Sequence, residues 1–387
     1  MSNRWMAARL QGYPPSVFAE MSALAKARGA VNLGQGFPDF EGPEIVKQAA
    51  RAAISEHHNQ YAISAGEPEL RRAIADHAQR FYGQAVDPDH EVTVTSGCSE
   101  AIWCAAFAFI NPGDEVILFE PAFDTYVPNI RMAGGVPVPV TLRPPDFRPD
   151  PDELRAAFGP KTRLILVNTP HNPTGTVLNP AELSLIAELC QEFDVLAITD
   201  EVYEHIIFGD ARHRRLAQWP GMAERTLTMS SAGKSFSLTG WKIGWTIGPE
   251  ALQSAIRRIH QFTVFASVTP MQYAIAAALR LPDGYFAELR AAYQARRDFL
   301  LEALAATGLT ARSPEGAYFI LAGIERFPFD HADDFCRYLV TEIGVAAIPP
   351  ATFYIHQAEG KQLVRFTFCK RWETLEAAAE RLVRLRA

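Results

Sequence analysis

RLILVN (163–168) runs directly into NTPHNPTG (168–175), and VLAIT (195–199) runs directly into DEVYEH (200–205). Each pair joins a short apolar run to a polar, turn-forming segment. A run that stays apolar at consecutive positions is buried on both faces, which is how the strands of a mainly parallel sheet read. Five more segments have this character: EVTVT (91–95), EVILF (115–119), VPVPV (136–140), RTLTMS (225–230) and KIGWTI (242–247). Helical stretches are expected between them, at 98–110, 181–193 and 250–261. Strand–helix–strand order predicts crossover units with helices on both faces of one sheet, an α/β fold. From about residue 275 the pattern changes to a long helix (285–306), a strand AYFILAG (317–323), a helix (333–344), a strand LVRFTF (363–368) and a closing helix (372–387). This suggests a second, smaller layered unit.

The 387 residues are 48% hydrophobic, 21% charged and 11% aromatic, the balance of a globular chain that buries a core. Thirty-seven basic residues against 44 acidic ones leave a net charge of −7 without Lys/Arg blocks, so nucleic acid is not an expected partner. The N-terminal stretch MSNRWMAARLQGYPPSV has no apolar leader, and the longest apolar run, 101–110, is too short to cross a membrane. A cytoplasmic protein is expected. Five scattered cysteines (Cys98, Cys104, Cys190, Cys336, Cys369) without a C-x-x-C indicate neither a disulfide framework nor a metal site, and are read as buried thiols.

Four segments that follow strands carry side chains suited to chemistry. In SSAGKSFSLTGWKIGW (230–245), Lys234 lies among small and hydroxylated residues. A lysine in an apolar surround gives up part of its preference for the charged form and can form a Schiff base, whereas the same residue in a Ser/Gly loop can equally be a solvated turn residue. Asp200 ends the strand VLAIT, where open α/β sheets bind ligands, or else caps a short helix. Asn172, between prolines, is held rigidly in an extended turn; alone, NTPHNPTG could be only a tight turn. VTSGCSEAIW (94–103) leaves the amides of Gly97, Cys98 and Ser99 at a helix start, an anion site or a plain Ser-initiated helix.

Together, in this order, these segments resemble the fold-type I pyridoxal 5′-phosphate (PLP) aminotransferases related to aspartate aminotransferase. The resemblance runs from VNLGQGFPDF (31–40) and NQYA (59–62) to LVRFTF (363–368). Within that family GQGFPDF, NTPHNPTG, DEVYEH and TGWKIGW are similar to the methionine and kynurenine aminotransferases (the latter also called glutamine transaminase K). The resemblance implies a large PLP-binding domain (47–275) with a mainly parallel seven-stranded sheet and a smaller α+β domain from both termini (1–46 and 276–387). It implies that Lys234 holds PLP and moves a proton, that Asp200 keeps the pyridine nitrogen protonated, and that Asn172 and Tyr203 donate to the phenolic oxygen. Gly97, Cys98, Ser99, Ser231 and Lys242 would surround the phosphate, with Tyr61 reaching it from the other subunit of a homodimer. Phe123 would stack on the ring. Arg365 would clamp the substrate carboxylate, a role competing with an ordinary strand arginine in a surface ion pair. Gly36 would contribute a backbone contact.

Lys242 stands where many members of the superfamily have arginine, and marks the methionine/kynurenine branch. The stretch HQFTVFASVTPMQ (260–272) resembles the partner subunit's wall of the substrate pocket and offers Phe262 and Phe265 but no arginine. With Phe18 over the same pocket, it implies amino donors such as methionine, phenylalanine, tyrosine or kynurenine rather than dicarboxylates. Three other readings compete with this one. A cysteine-conjugate β-lyase would use the same lysine and ring. A regulatory protein on an inactive aminotransferase fold is disfavoured by the intact Lys234, Asp200, Tyr203 and Arg365. A nicotinamide dehydrogenase is rejected because GQGFPDFEG lacks the third glycine of the dinucleotide fingerprint.

Overall fold

A computed structural model describes residues 5–10, 13 and 16–385. Parts of the N-terminal stretch discussed above, and Arg386 and Ala387 of the closing helix, lie outside the described residues. The strands in chain order are β1 (Val31–Asn32), β2 (Val92–Thr95), β3 (Glu115–Glu120), β4 (Val136–Thr141), β5 (Thr162–Asn168), β6 (Leu196–Asp200), β7 (Thr226–Ser231), β8 (Gly244–Ile247), β9 (Thr310–Ala311), β10 (Phe319–Gly323), β11 (Val345–Ala346) and β12 (Leu363–Thr367). Seven of them form one sheet in the order β2-β8-β7-β6-β5-β3-β4. All neighbours are parallel except at β8, which is antiparallel to both β2 and β7.

The consecutive apolar residues of β5 are sorted by the two-residue period of a strand. Leu164 and Leu166 pack into the core under the Gly97–Phe109 helix, whereas Ile165 and Val167 pack with Leu183 and Ile186 of the Pro180–Glu192 helix on the opposite face. That second helix starts with a proline in its first turn and a complete capping box between Asn179 and Glu182. Pro137 and Pro139 cannot donate ladder hydrogen bonds, and β4 accordingly lies at the sheet edge.

In the C-terminal part β10 pairs antiparallel with β9 and β12. The Asp283–Ala305 and Trp372–Leu382 helices pack beside it. β1 pairs parallel with β11, which joins the N-terminal segment to this region. Two expected boundaries differ. The run KIGWTI becomes a strand only at Gly244, because Lys242 takes a left-handed backbone at φ 56°. The helix expected over 333–344 is α-helical for Ala332–Tyr338 and continues as a π-turn, Leu339–Ile343, closed by Gly344 at φ 84°. All five cysteines are free and buried, and among the described residues no helix is long and apolar enough to cross a membrane.

Candidate active site

The residues that end the parallel strands meet over one edge of the sheet. Strand register sets Asn168 beside Asp200. Asn168 Nδ2 donates to the Asp200 carbonyl at 2.8 Å, and its Oδ1 accepts from the Asn172 N–H at 2.7 Å. The NTPHNPTG turn is thus fastened to the neighbouring strand by its own first side chain. Above these ends lies a cavity of about 390 Å³. Its wall includes the start of the Gly97–Phe109 helix, Phe123, Asp200, Tyr203, Lys234, Lys242 and, from the two terminal regions, Phe18, Gly36 and Arg365.

Lys234 lies in the four-residue helix Ala232–Ser235 that follows β7. Its amine donates to Tyr318 Oη at 3.0 Å and burial lowers its pKa, so Lys234 is a half-buried residue of the cavity wall and not part of an open surface turn. Asp200 is 4% exposed; burial raises its carboxyl pKa, opposed by the Tyr126 hydroxyl at 2.6 Å and the Val202 N–H at 3.2 Å. A buried carboxylate with these partners has room for one more donor, preferably cationic. The helix-cap reading survives only as the Val202 bond. Tyr203 is buried, and its ring lies 5.6 Å from the Lys234 amine.

Arg365, in β12, is 2% exposed and makes no ion pair among the described residues. Its Nη2 donates to the Gly34 carbonyl at 2.9 Å and its Nη1 to Asn172 Oδ1 at 3.3 Å, while Nε has no partner among the described residues. The rings of Phe319, Phe18 and Phe353 surround the guanidinium at 4.3, 5.0 and 5.3 Å, and burial pushes its pKa down to about 10. A guanidinium so desolvated, with a donor to spare, gains most from a planar anion. Because Asn172 turns its oxygen to Arg365, its amide hydrogens remain for a neighbour in the cavity.

The sequence model for aminotransferase class I and II matches residues 28–382. The chain belongs to the class I and II aminotransferases. It is 46% identical over 385 residues to a probable N-succinyldiaminopimelate aminotransferase of Mycobacterium tuberculosis, covering 97% of each chain. A methionine aminotransferase of Escherichia coli is 40% identical over 370 residues, with 96% of each covered. The solved N-succinyldiaminopimelate aminotransferase from M. tuberculosis superimposes with a TM-score of 0.96 over 98% of this chain and 100% of that one.

The cofactor of this aminotransferase is pyridoxal 5′-phosphate, and the cavity fits it. Besides the Lys234 amine and the under-partnered Asp200, there is a cradle for the phosphate. Gly97 has φ 74°, and a Cβ there would fall 3.1 Å from Lys242 Nζ. A Cβ on Gly244 would fall 2.6 Å from the Gly97 carbonyl carbon, so only glycine lets β8 approach the helix start this closely. The first amides of that helix, at Gly97, Cys98 and Ser99, have no acceptor within the helix, and Lys242 Nζ lies 3.4 Å from Ser99 Oγ. Ser231 also lines the cavity.

Three expected site residues, Tyr61, Phe262 and Phe265, lie apart from the others in this chain. Tyr61 is 87% exposed and meets Phe265 edge to face at 5.3 Å, outside the cavity wall; Phe262 is 86% exposed. Sequence reasoning missed Tyr126, Tyr318 and Asn168. Asn168 could have been found as the polar end of an otherwise apolar strand. Tyr318 was hidden inside the apolar strand AYFILAG.

Proposed function

We propose that the enzyme moves the amino group of methionine or an aromatic amino acid (phenylalanine, tyrosine, kynurenine) to a 2-oxo acid in a ping-pong reaction. The observation that carries this reading is the setting of Arg365, the one guanidinium among the described residues lining the cavity, enclosed by phenylalanine rings. It answers one carboxylate, and the apolar surround favours an uncharged side chain beyond the α-carbon.

Bound here, pyridoxal phosphate supplies an electron sink that stabilises charge at the donor α-carbon. Asp200 holds a proton on the pyridine nitrogen, since its carboxylate needs a cationic partner. Asn172 and Tyr203 donate to the phenolic oxygen. Gly97, Cys98, Ser99, Ser231 and Lys242 hold the phosphate, and Phe123 covers the ring. Lys234, whose amine burial inclines toward neutrality, carries the proton at the α-carbon. Gly36 and Phe18 close over the donor. On this reading residues 47–275 form the cofactor-binding unit, while 1–46 and 276–387 form the unit that closes the site. The active form is a homodimer in which Tyr61 and Phe265 serve the neighbouring site; their exposure in the single chain supports this.

A second reading, N-succinyldiaminopimelate as donor, is favoured by the 46% identity to the mycobacterial relative. A third keeps the same residues for cysteine-S-conjugate β-elimination. Comparison of kcat/KM for methionine, phenylalanine, kynurenine, N-succinyldiaminopimelate and aspartate separates the donors. Methionine and the aromatic donors are expected to exceed aspartate at least ~100-fold, from favourable apolar burial set against an unpaired carboxylate. N-succinyldiaminopimelate turning over faster than methionine would replace the first reading. Keto acid formed from a cysteine conjugate without any acceptor would reveal the lyase.

A further inference from the structure

We propose that Tyr318 is a positioning residue that links the Lys234 amine to the substrate-binding segment 34–37. The Tyr318 hydroxyl donates to the Gly36 carbonyl at 2.7 Å and accepts from Lys234 Nζ at 3.0 Å. A buried tyrosine hydroxyl ordinarily finds partners in the core. Here both partners belong to groups that the reaction engages: the lysine, and a segment lining the cavity. The ring cannot swing away. Tyr318 is fully buried, with Phe319, Tyr203 and Tyr293 packed around it at ring distances of 4.8, 5.1 and 5.9 Å.

The segment is held at each of its carbonyls. Arg365 donates to Gly34 O at 2.9 Å, Lys370 donates to Gln35 O and Phe37 O at 3.1 and 2.8 Å, and Tyr318 donates to Gly36 O. A donor carboxylate arriving at Arg365 competes for the guanidinium that holds Gly34 O, and any displacement of the segment reaches Gly36 and so Tyr318. Because the Tyr318 O–H is committed to Gly36, its oxygen can only accept from Lys234. One N–H of the amine is thereby fixed toward Tyr318, away from the cavity. Its second N–H and its lone pair are left for the cavity, and the lone pair is the direction that can take a proton from the donor α-carbon. Tyr318 thus orients the amine once it is released, and couples that orientation to whether the segment is in place.

The inference rests on the role of Lys234 proposed above, and its test does not depend on which donor is preferred. The protein is loaded with pyridoxamine phosphate, which leaves the lysine amine unattached, and the rate of acetic anhydride labelling at Lys234 is followed against pH by peptide mass spectrometry. Burial is the largest influence on this amine and lowers its pKa; of the ionisable groups around it Cys369 and Asp200 raise it, Arg365 and Lys242 lower it, and Tyr203 and Tyr318 flank it. In Tyr318→Phe none of these groups is removed except the hydroxyl that accepts from the ammonium. Loss of that acceptor disfavours the charged form, so the labelling midpoint is expected to fall by about one unit. With the best donor found, kcat is expected to fall about tenfold.

Lys370→Met frees the flanking carbonyls but keeps the Tyr318 hydroxyl beside Lys234, and is expected to raise KM and to move the midpoint by clearly less than Tyr318→Phe does. Should Tyr318→Phe fold poorly, 3-fluorotyrosine at 318 keeps the packing but weakens the acceptor, and is expected to move the midpoint the same way by less. An unchanged midpoint in both Tyr318 variants overturns the proposal, as does an equal shift in Lys370→Met. A wild-type enzyme inactive toward all the donors above would instead sink the donor reading, leaving the labelling result to decide the role of Tyr318.

Discussion

Burial pushes Lys234, Asp200 and Arg365 toward their neutral forms, and each retains capacity for a charged partner that a cofactor or substrate would bring. Burial also acts on a cluster further along DEVYEH, where His205 Nε2 and His77 Nε2 are 2.7 Å apart. Glu204 beside them is held by Arg215 at 3.0 Å and Ser230 at 2.6 Å. Desolvation pushes His77 down to about 4 and His205 down to about 3, so both are neutral in the folded protein. The unfolded chain binds protons near pH 6.5, and stability is therefore complete above that value and lost as pH falls toward 4. Chemical unfolding at pH 7 and pH 5 is expected to differ by roughly 2 kcal/mol per histidine. Burial pushes His171 down to about 3 as well, so His77→Gln, which keeps a neutral partner for His205, is expected to remove about a third of the difference. A stability that is flat over this range would contradict the pairing.

At the scale of elements, the cofactor cradle depends on how closely β8 approaches the start of the Gly97–Phe109 helix. β8 is bonded on both sides, to β2 and β7, and cannot shift to admit a methyl group at Gly244. Gly244→Ala is expected to cost about 1–3 kcal/mol of stability through overpacking. It should also raise the dissociation constant of pyridoxal phosphate about tenfold or more, because the Gly97 and Cys98 backbone must move. Calorimetric unfolding and equilibrium dialysis check the two effects separately. Much of this element was legible. SGCSE following EVTVT announces a helix start with free amides, and TGWKIGW places Lys242 close by in sequence to a strand. That β8 runs antiparallel, bringing Gly244 against Gly97, follows from chain crossings far outside either motif.

At the scale of the molecule, the site is assembled from both termini and the central sheet: Arg365 from β12, Phe18 from the Val17–Arg28 helix, Asp200 from β6. Ile63, Tyr61, Phe262, Phe265 and Val268 are left exposed, apolar surface that the homodimer proposed above would cover. If sites are shared between subunits, mixing the inactive variants Lys234→Ala and Tyr61→Asp restores one intact site in each mixed dimer. Random exchange is then expected to recover about a quarter of wild-type activity, since half of the dimers are mixed and each carries one good site of two. Activity no greater than that of the parents, with exchange demonstrated by differently tagged chains, would show that each site is built from one chain.

The seven strands, their polar ends and the candidates Lys234, Asp200 and Asn172 could be read from the sequence, because burial on both faces and turn chemistry are local properties encoded residue by residue, whereas Arg365 became a candidate only through the family resemblance. The sequence also determined the family, since four motifs in one order are far more specific than any one of them. Tertiary structure alone decided that Arg365 is desolvated among three phenylalanines rather than paired at the surface, and that Asn172 turns its oxygen toward it. It alone brought Tyr126 to Asp200 and Tyr318 to Lys234, across 74 and 84 residues. These contacts leave no periodic or local signature. A tyrosine in an apolar run packs its ring like any core aromatic, and only the folded chain determines which group its hydroxyl meets.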